Sequence, residues 1–395
     1  MNMHSPAHAG TPALCERMRR VAKIAAVHAA DVDARARFPQ EAVEALRTER
    51  LLGAQIPAEL GGDGATIAEI AELCAILGQA CSAAAMVFAM HQIKASSLVS
   101  HGEGAPWHRA FMARVADEQL LLASATTEGG IGGNLRNSIC AIEVEGDTCR
   151  LEKDATVISY GDMADAILIT SRAHAGAAAS DQVLTVFLKD QYTLEKTHVW
   201  DTLGMRGTCS DGFLFKGEAP AEQILPRPFA EIAAQSMLAY SHILWSAVWY
   251  GIAADAFARA QAFVRAAARR SPDQTPPGAL RVAEASSLLQ GVKASIVAAL
   301  EKYAVAQGDE DKLSAMSFSV AMNNLKIASS QTVLTIINHC MLICGILGYK
   351  NGTPFSLGRH LRDAHSAQLM ISNDRILGNT STMLLVHKQD TSLLG

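Results

Sequence analysis

The sequence predicts an α+β protein in which a β-rich stretch separates two helical regions. Three observations carry this. Before about residue 119 and after about residue 229, apolar residues recur at three- and four-residue spacing, the stripe of amphipathic helices. Between about 120 and 225 lie short runs rich in Val, Ile and Thr, such as "DAILITSRA" and "QVLTVFLKD", separated by Gly and Asp turns as in an antiparallel β-domain. The 395 residues, 49% of them hydrophobic, suffice for two or three packed sub-domains.

Element by element, "PALCERMRRVAKIAAVHAADVDARARF" reads as the first long helix. "PQEAVEALRTERLLG" opens on Pro39 and stops at Gly53, the usual asymmetry of helix ends. "QIPAELGGDGAT" is a turn cluster, and helix resumes from about Ile67 to Ser100. The β-rich stretch follows. From about Phe229 the chain is helical to its end, with one Pro-rich break, "RRSPDQTPPGAL". These shifts divide the chain into an N-terminal helical domain (1–119), a middle β-domain (120–228) and a C-terminal helical domain (229–395).

Composition excludes several function classes. With 34 basic and 39 acidic residues and no basic tract, nucleic acid is not an expected partner. The first residues lack the apolar core of a signal peptide. "ILWSAVWYGIAA" falls short of the roughly 20 residues of a membrane span, so a soluble, cytoplasmic protein is predicted. The eight cysteines are scattered. Only Cys340 and Cys344 stand close, in "HCMLICG" beside His339, and with no second pair they read as small core residues on a helix rather than as metal ligands.

"ATTEGGIGGN" (125–134) holds four glycines in ten residues, which allow close approach of backbone to a ligand. It is neither a dinucleotide fingerprint nor a P-loop, because strands follow it and no Gly-Lys-Ser/Thr is present.

In the helical–β–helical order, five segments resemble the acyl-CoA dehydrogenase family over nearly the whole chain. "FPQEAVEALRTERLLGAQIPAELGGDG" is similar to its N-terminal signature, and "LASATTEGGIGGN" stands in place of its T-E-P-x-A-G-S-D flavin loop. "ATVISYGDMADAILITSRA" resembles W-I-T-N-x-x-x-A-D, "DTLGMRGTCSDGFLFKG" the L-G-x-R-G-S strand pair, and "CGILGYKNGTPFSLGRHLRDAHSA" the G-G-x-G-Y…R-D element. The resemblance implies a four-helix bundle in the C-terminal domain and FAD (or FMN) as cofactor. It also implies a homo-oligomer, a tetramer or at least a dimer, in which "CGILGYK" reaches a neighbouring subunit's flavin. Thr127, Gly132 and Gly133 would lie along the flavin, Ile158 and Ser159 near its N5, and Arg269, Gly345 and Asn373 at further cofactor positions. For Arg269 the other reading is a solvated charge at a helix end.

The chain also departs from the family. Val157 replaces a Trp, Leu342 replaces a Gln, and "AFVRAAARRSP" lacks the R-x-x-F-G phosphate element. Most consequential, the α-proton of a thioester needs a carboxylate base, which the family supplies eight residues after the Asp of its R-D pair. Here that position is Ile371. In relatives that carry the base on the first long C-terminal helix, the equivalent place falls near Ser241 and His242. Asp374 is the nearest acid and a candidate base, or else a capping residue. His91, on a helix bordering the implied substrate cavity, is a candidate for flavin–oxygen chemistry, or else a hydrogen-bonded core residue.

Three functions follow. The first is an FAD-dependent dehydrogenase of an acyl thioester with a displaced base, passing electrons to an acceptor flavoprotein. The second is a monooxygenase fed reduced flavin by a reductase and acting on another small molecule. The third is a non-catalytic flavin-binding paralogue.

Overall fold

The structure, a computed structural model, describes residues 10–130, 135–388 and 391–392. Five helices come first: α1 (Thr11–Ala34), α2 (Gln40–Thr48), α3 (Ile67–Ala80), α4 (Ser82–His101) and α5 (Pro106–Glu118). The single helical run expected from Ile67 is two helices broken at Cys81, whose extended backbone (φ −149°) closes one and opens the other. A capping box starts α3: the Thr66 hydroxyl accepts from the Glu69 N–H, and the Glu69 carboxylate accepts from the Thr66 N–H at 2.8 Å.

Seven strands follow: β1 (Leu122–Ala125), β2 (Glu143–Glu145), β3 (Thr148–Ala155), β4 (Ala166–Arg172), β5 (Gln182–Leu188), β6 (Tyr192–His198) and β7 (Gly212–Pro220). They form two sheets, ordered β1-β4-β5 and β2-β3-β7-β6. Pairing is antiparallel except between β1 and β4, which run parallel with Leu122 opposite Ala166. Parallel neighbours need a long crossover, and the whole glycine loop with β2 and β3 supplies it. β4 is buried on both faces, and its sequence opens on a continuous apolar run, residues 166–169, before the buried Thr170 and Ser171. In β3 alternate residues are buried, and strict alternation carries Lys153 into the interior.

The C-terminal region holds α6 (Phe229–Ile232), a π-helical turn (Ala233–Met237), α7 (Leu238–Arg270), α8 (Ala279–Ala306), α9 (Glu310–Ser314), α10 (Met316–Cys344), α11 (Ile346–Tyr349), α12 (Gly358–Leu369) and α13 (Asn373–Leu384). The chain thus has the helical, sheet and helical-bundle order that its pattern predicted. α7 packs on α3, α4, α8 and α10, making it the axis around which the helical regions join. α10 is long and apolar enough to span a bilayer, but it lies in the bundle and turns Asn323, Lys326, Ser329 and Ser330 into the interior. Cys340 and Cys344 are buried on it.

Candidate active site

The first half of the site is the edge where the loop after β1 meets the turns 156–160 and 204–211. Tyr160, Met205 and Cys209 all adopt left-handed backbone (φ 44°, 52° and 45°). Such conformations in non-glycine residues cost of order 1–3 kcal/mol each and persist where surrounding structure enforces them. The enforcement is visible. The Ile158 N–H donates to the Asp211 carbonyl at 2.8 Å and the Tyr160 N–H to that of Thr208 at 2.9 Å, while the buried Tyr160 hydroxyl donates to Leu122 O at 3.0 Å. Gly204 lies so close to the backbone of Arg362 and Asp363 that any Cβ there would collide with it. Asp363 is fully buried: its carboxylate takes the Met205 N–H at 2.7 Å and the Ser82 hydroxyl, tying α12 to this turn and to the start of α4. Burial raises its pKa.

Along the edge runs a chain of hydroxyls whose direction is fixed. The Thr208 hydroxyl donates to the Met205 carbonyl at 2.9 Å, so its oxygen accepts from Ser210 at 2.9 Å. Ser210 in turn accepts from Ser159 at 2.8 Å. A hydroxyl has one proton; Ser159 has committed its own to Ser210 and offers a ligand only an acceptor. Thr127 donates to the Val157 carbonyl at 3.1 Å, joining the glycine loop to the same turn. Thr127, Val157 and Ser159 are all half-exposed and present one shared face.

Glu128 anchors that loop from below. Its buried carboxylate accepts from the Ser138 hydroxyl (2.8 Å) and from the N–H groups of Ile139 (3.0 Å) and Cys140 (2.6 Å), with the Lys153 ammonium at 3.9 Å. Burial alone would raise its pKa, but these donors outweigh it and the net shift is downward. The sequence reading passed over Glu128. The signal was there: an acid beside the glycines, with a Lys on the inward face of β3.

The second half of the site is the seam between α4, α7 and α10, closed by the turn joining α12 to α13. No Asp or Glu occurs on Ser82–His101, on 238–254 or on Met316–Cys344. Ile371, in the turn, is half-buried with φ 50°, an unfavourable conformation for a β-branched residue. Lys326, 0% exposed, holds it there: its ammonium donates to the Ile371 carbonyl and to Asn373 Oδ1, both at 2.7 Å, and stands 5.8 Å from the Trp249 ring. Burial depresses its pKa to about 8. His242 faces the same seam, and burial, helped by the Lys326 charge, lowers its pKa to about 4. Nδ1 of His242, Nε1 of Trp245 and of Trp249, and Oγ of Ser246 and of Ser329 are buried without a hydrogen-bond partner among the described residues.

Several expectations for single residues change here. His91 is not available for proton transfer: Nε2 donates to the Leu52 carbonyl (2.7 Å) and Nδ1 accepts from the Leu122 N–H (3.0 Å). Burial holds it neutral, with a pKa of about 4. It pins α4 to β1. The Asn373 amide is turned inward onto Lys326 and Ser330. Asp374 is exposed in the first turn of α13, where a negative charge complements the helix dipole, and not in the seam. Arg269 is exposed in the last turn of α7. Gly345 ends α10 with φ 54° and is exposed beside Leu342 and Ile346. Thr127, Ile158 and Ser159 do converge on one edge, Ile158 through its backbone because its side chain is buried. Gly132 and Gly133 lie outside the described residues. A groove of about 650 Å³ on the outer face of the second sheet, lined by Arg150, Glu152, Tyr192 and Lys216, shares no residue with this site.

Comparison with known proteins covers both helical regions. Residues 12–119 match the family model described as acyl-CoA dehydrogenase, N-terminal domain, and residues 232–379 that described as acyl-CoA dehydrogenase, C-terminal domain. Among curated relatives, the chain is 24% identical over 365 residues to cyclohex-1-ene-1-carbonyl-CoA dehydrogenase of Geobacter metallireducens, covering 89% of this chain and 91% of that protein. It is also 24% identical over 355 residues to the amino sugar nitrososynthase DnmZ of Streptomyces peucetius, covering 86% and 84%. Among solved structures, FMN-bound TdsC from Paenibacillus sp. A11-2 superposes with a TM-score of 0.83 at 17% identity, covering 96% of this chain and 98% of that one.

Proposed function

Because the chain belongs to the acyl-CoA dehydrogenase family of flavin-dependent oxidoreductases, we propose that it binds a reduced flavin and, with dioxygen, oxygenates a small molecule, rather than desaturating an acyl thioester. One observation carries the reading. The position that the resemblance assigns to the family's base is Ile371, and α4, α10 and residues 238–254 of α7 carry no acid, which leaves these stretches without a carboxylate to take an α-proton. Relatives on both sides of this division exist, a CoA-ester dehydrogenase and a nitrososynthase among them.

The residues present suit a flavin. A half-exposed edge offers the Thr127 and Ser159 hydroxyls and the Val157–Ser159 backbone, and Gly130 (φ 84°) lets the loop turn without a Cβ. When bound, a flavin supplies the redox chemistry. The chain's own residues orient it. Ser159, an acceptor only, matches an N–H better than a lone pair, and N5 carries a hydrogen in the reduced form alone. Tyr160 and Asp363 hold the turns that aim Ser159, and the apolar faces of α4 and α7 exclude water. Anaerobic titration tests this: reduced FMN or FAD should bind more tightly than oxidised. A protein that purifies with tightly held oxidised FAD, bleached rapidly by butyryl-CoA, would overturn the proposal.

We further propose a homo-oligomer. Leu342, Ile346 and Tyr349 are 64%, 68% and 75% exposed and adjoin Gly345, forming an apolar patch of the kind that marks an interface. Light scattering should give a dimeric or larger mass, and Ile346→Asp should lower it; a monomeric wild type at micromolar concentration would contradict this.

A further inference from the structure

The interior of the helical seam is charged on one side only. Lys94 on α4 and Lys326 on α10 are both buried, and no acid on α4, on α10 or on 238–254 of α7 balances them. Lys326 is provided for by a carbonyl, an amide oxygen and an indole face. Lys94 is not. It is 3% exposed, and among the described residues the one hydrogen bond its ammonium makes is to Met237 Sδ at 3.8 Å, a weak acceptor. Its surroundings are apolar on both sides. Ile93 belongs to one hydrophobic cluster, Ala95 and Leu98 to the other, and Met237 packs against both. The hydroxyls of Ser96 and Ser97, which donate to the Ile93 carbonyl, and of Ser236, which donates to that of Ile232, take no hydrogen bond from Lys94. Buried charges in proteins are paired, so the missing partner is a feature of the site.

Three further observations place Lys94 in a ligand's path. Met90, one turn before it on α4, and Met237 and Leu238 opposite are half-exposed, so the seam is not closed at this level. Met237 ends a π-helical turn, an irregularity frequent at functional sites. Two turns further along the same stripe of α7 lies Trp245, whose indole N–H is buried and unpartnered. The seam therefore presents an ammonium at one end and a free N–H donor further in, with apolar walls between.

We propose that Lys94 receives a single negative charge on the substrate, a carboxylate at one end of an otherwise apolar molecule lying between α4 and α7. A monoanion fits because one ammonium is available and no second cation or backbone nest accompanies it; a phosphate dianion would be left under-neutralised. The proposal rests on the reading that this seam holds the substrate, but its test involves no turnover and no flavin chemistry.

The test is calorimetric titration of the purified protein with 4-phenylbutyrate and with its neutral isostere 4-phenylbutanamide. Wild type should bind the carboxylate at least tenfold more tightly than the amide. Lys94→Met, which places an apolar side chain of similar length beside Met237, should erase the preference while melting no lower than wild type. Lys94→Gln serves the same purpose if the Met variant does not fold. Equal binding of the two compounds, no binding of either, or a preference that survives both variants would overturn the proposal. Reduced-flavin titration of the same Lys94→Met sample reads the flavin proposal separately, and unchanged affinity is expected there.

Discussion

The β edge and the helical seam lie on either side of one site, and they hold their polar groups by opposite means. At the edge, polarity is satisfied within the chain: every hydroxyl of the 159–210–208 series has a direction, Glu128 has three donors, and the N–H groups of left-handed Tyr160 and Met205 donate to the Thr208 carbonyl and the Asp363 carboxylate. In the seam, five buried polar atoms have no partner and two cations have no anion. The difference teaches that the edge is preorganised, while the seam awaits something. Burying unsatisfied groups costs free energy, and that cost is offset when a ligand pairs with them.

The sharpest way to break the comparison is to give the seam its missing acid. Wild type loaded with FAD should be bleached by straight-chain acyl-CoAs slowly or not at all under anaerobic conditions. Ile371→Glu should raise that rate, and a general base is worth about 10²–10⁴-fold. The carboxylate would lie beside Lys326, which favours its ionised form. Rapid bleaching of the wild type would show that the seam already holds a base.

A smaller effect is expected from removing the tie across the turn. Lys326→Met leaves the Ile371 carbonyl without its ammonium donor and Asn373 Oδ1 with only the longer bond from Ser330, at a cost of about 1–3 kcal/mol. Urea denaturation reads it directly. A variant as stable as wild type would mean that the left-handed turn needs no help from Lys326.

The pH dependence compares the two regions without mutation. His91, at the edge, and His242, in the seam, have folded-state pKa values lowered by burial to about 4, below the unfolded value near 6.5. The unfolded chain therefore binds more protons between these values, so stability is full above pH 6.5 and falls as pH drops toward 4. Unfolding free energies at pH 7 and pH 5 should differ accordingly, and His91→Gln should flatten the slope by close to one proton. An unchanged slope would mean that His91 is protonated in the folded state.

The smallest effect tests the direction of the hydroxyl chain. Ser159→Ala removes one acceptor, worth on the order of 1 kcal/mol. If that acceptor serves the reduced flavin, the two-electron potential of the bound flavin falls by roughly 20 mV and affinity for oxidised flavin barely changes. Equal weakening of both redox forms would reverse the polarity deduced for Ser159.

Much of this architecture was written in the sequence. The change of hydrophobic period from 3.6 to 2 and back placed the helices and strands, because a side chain's burial follows directly from that repeat. The family's motifs brought Thr127, Ile158 and Ser159 to one edge, and the lack of acids on α4, on α10 and on residues 238–254 of α7 could be counted before any folding. What the sequence could not say is where each polar group's partner lies. His91, Asn373 and Asp374 look alike in sequence as candidates, yet the fold gives two of them internal partners and sends the third to solvent. The same holds for the parallel pairing of β1 with β4, which depends on a crossover rather than on local pattern. Lys94 and Lys326 are both lone cations in apolar helices, and only tertiary structure separates the one held by three neighbours from the one that meets a single thioether among the described residues. The reason is physical: periodicity is a local property of the chain, whereas hydrogen bonds and pKa values depend on atoms tens to hundreds of residues apart.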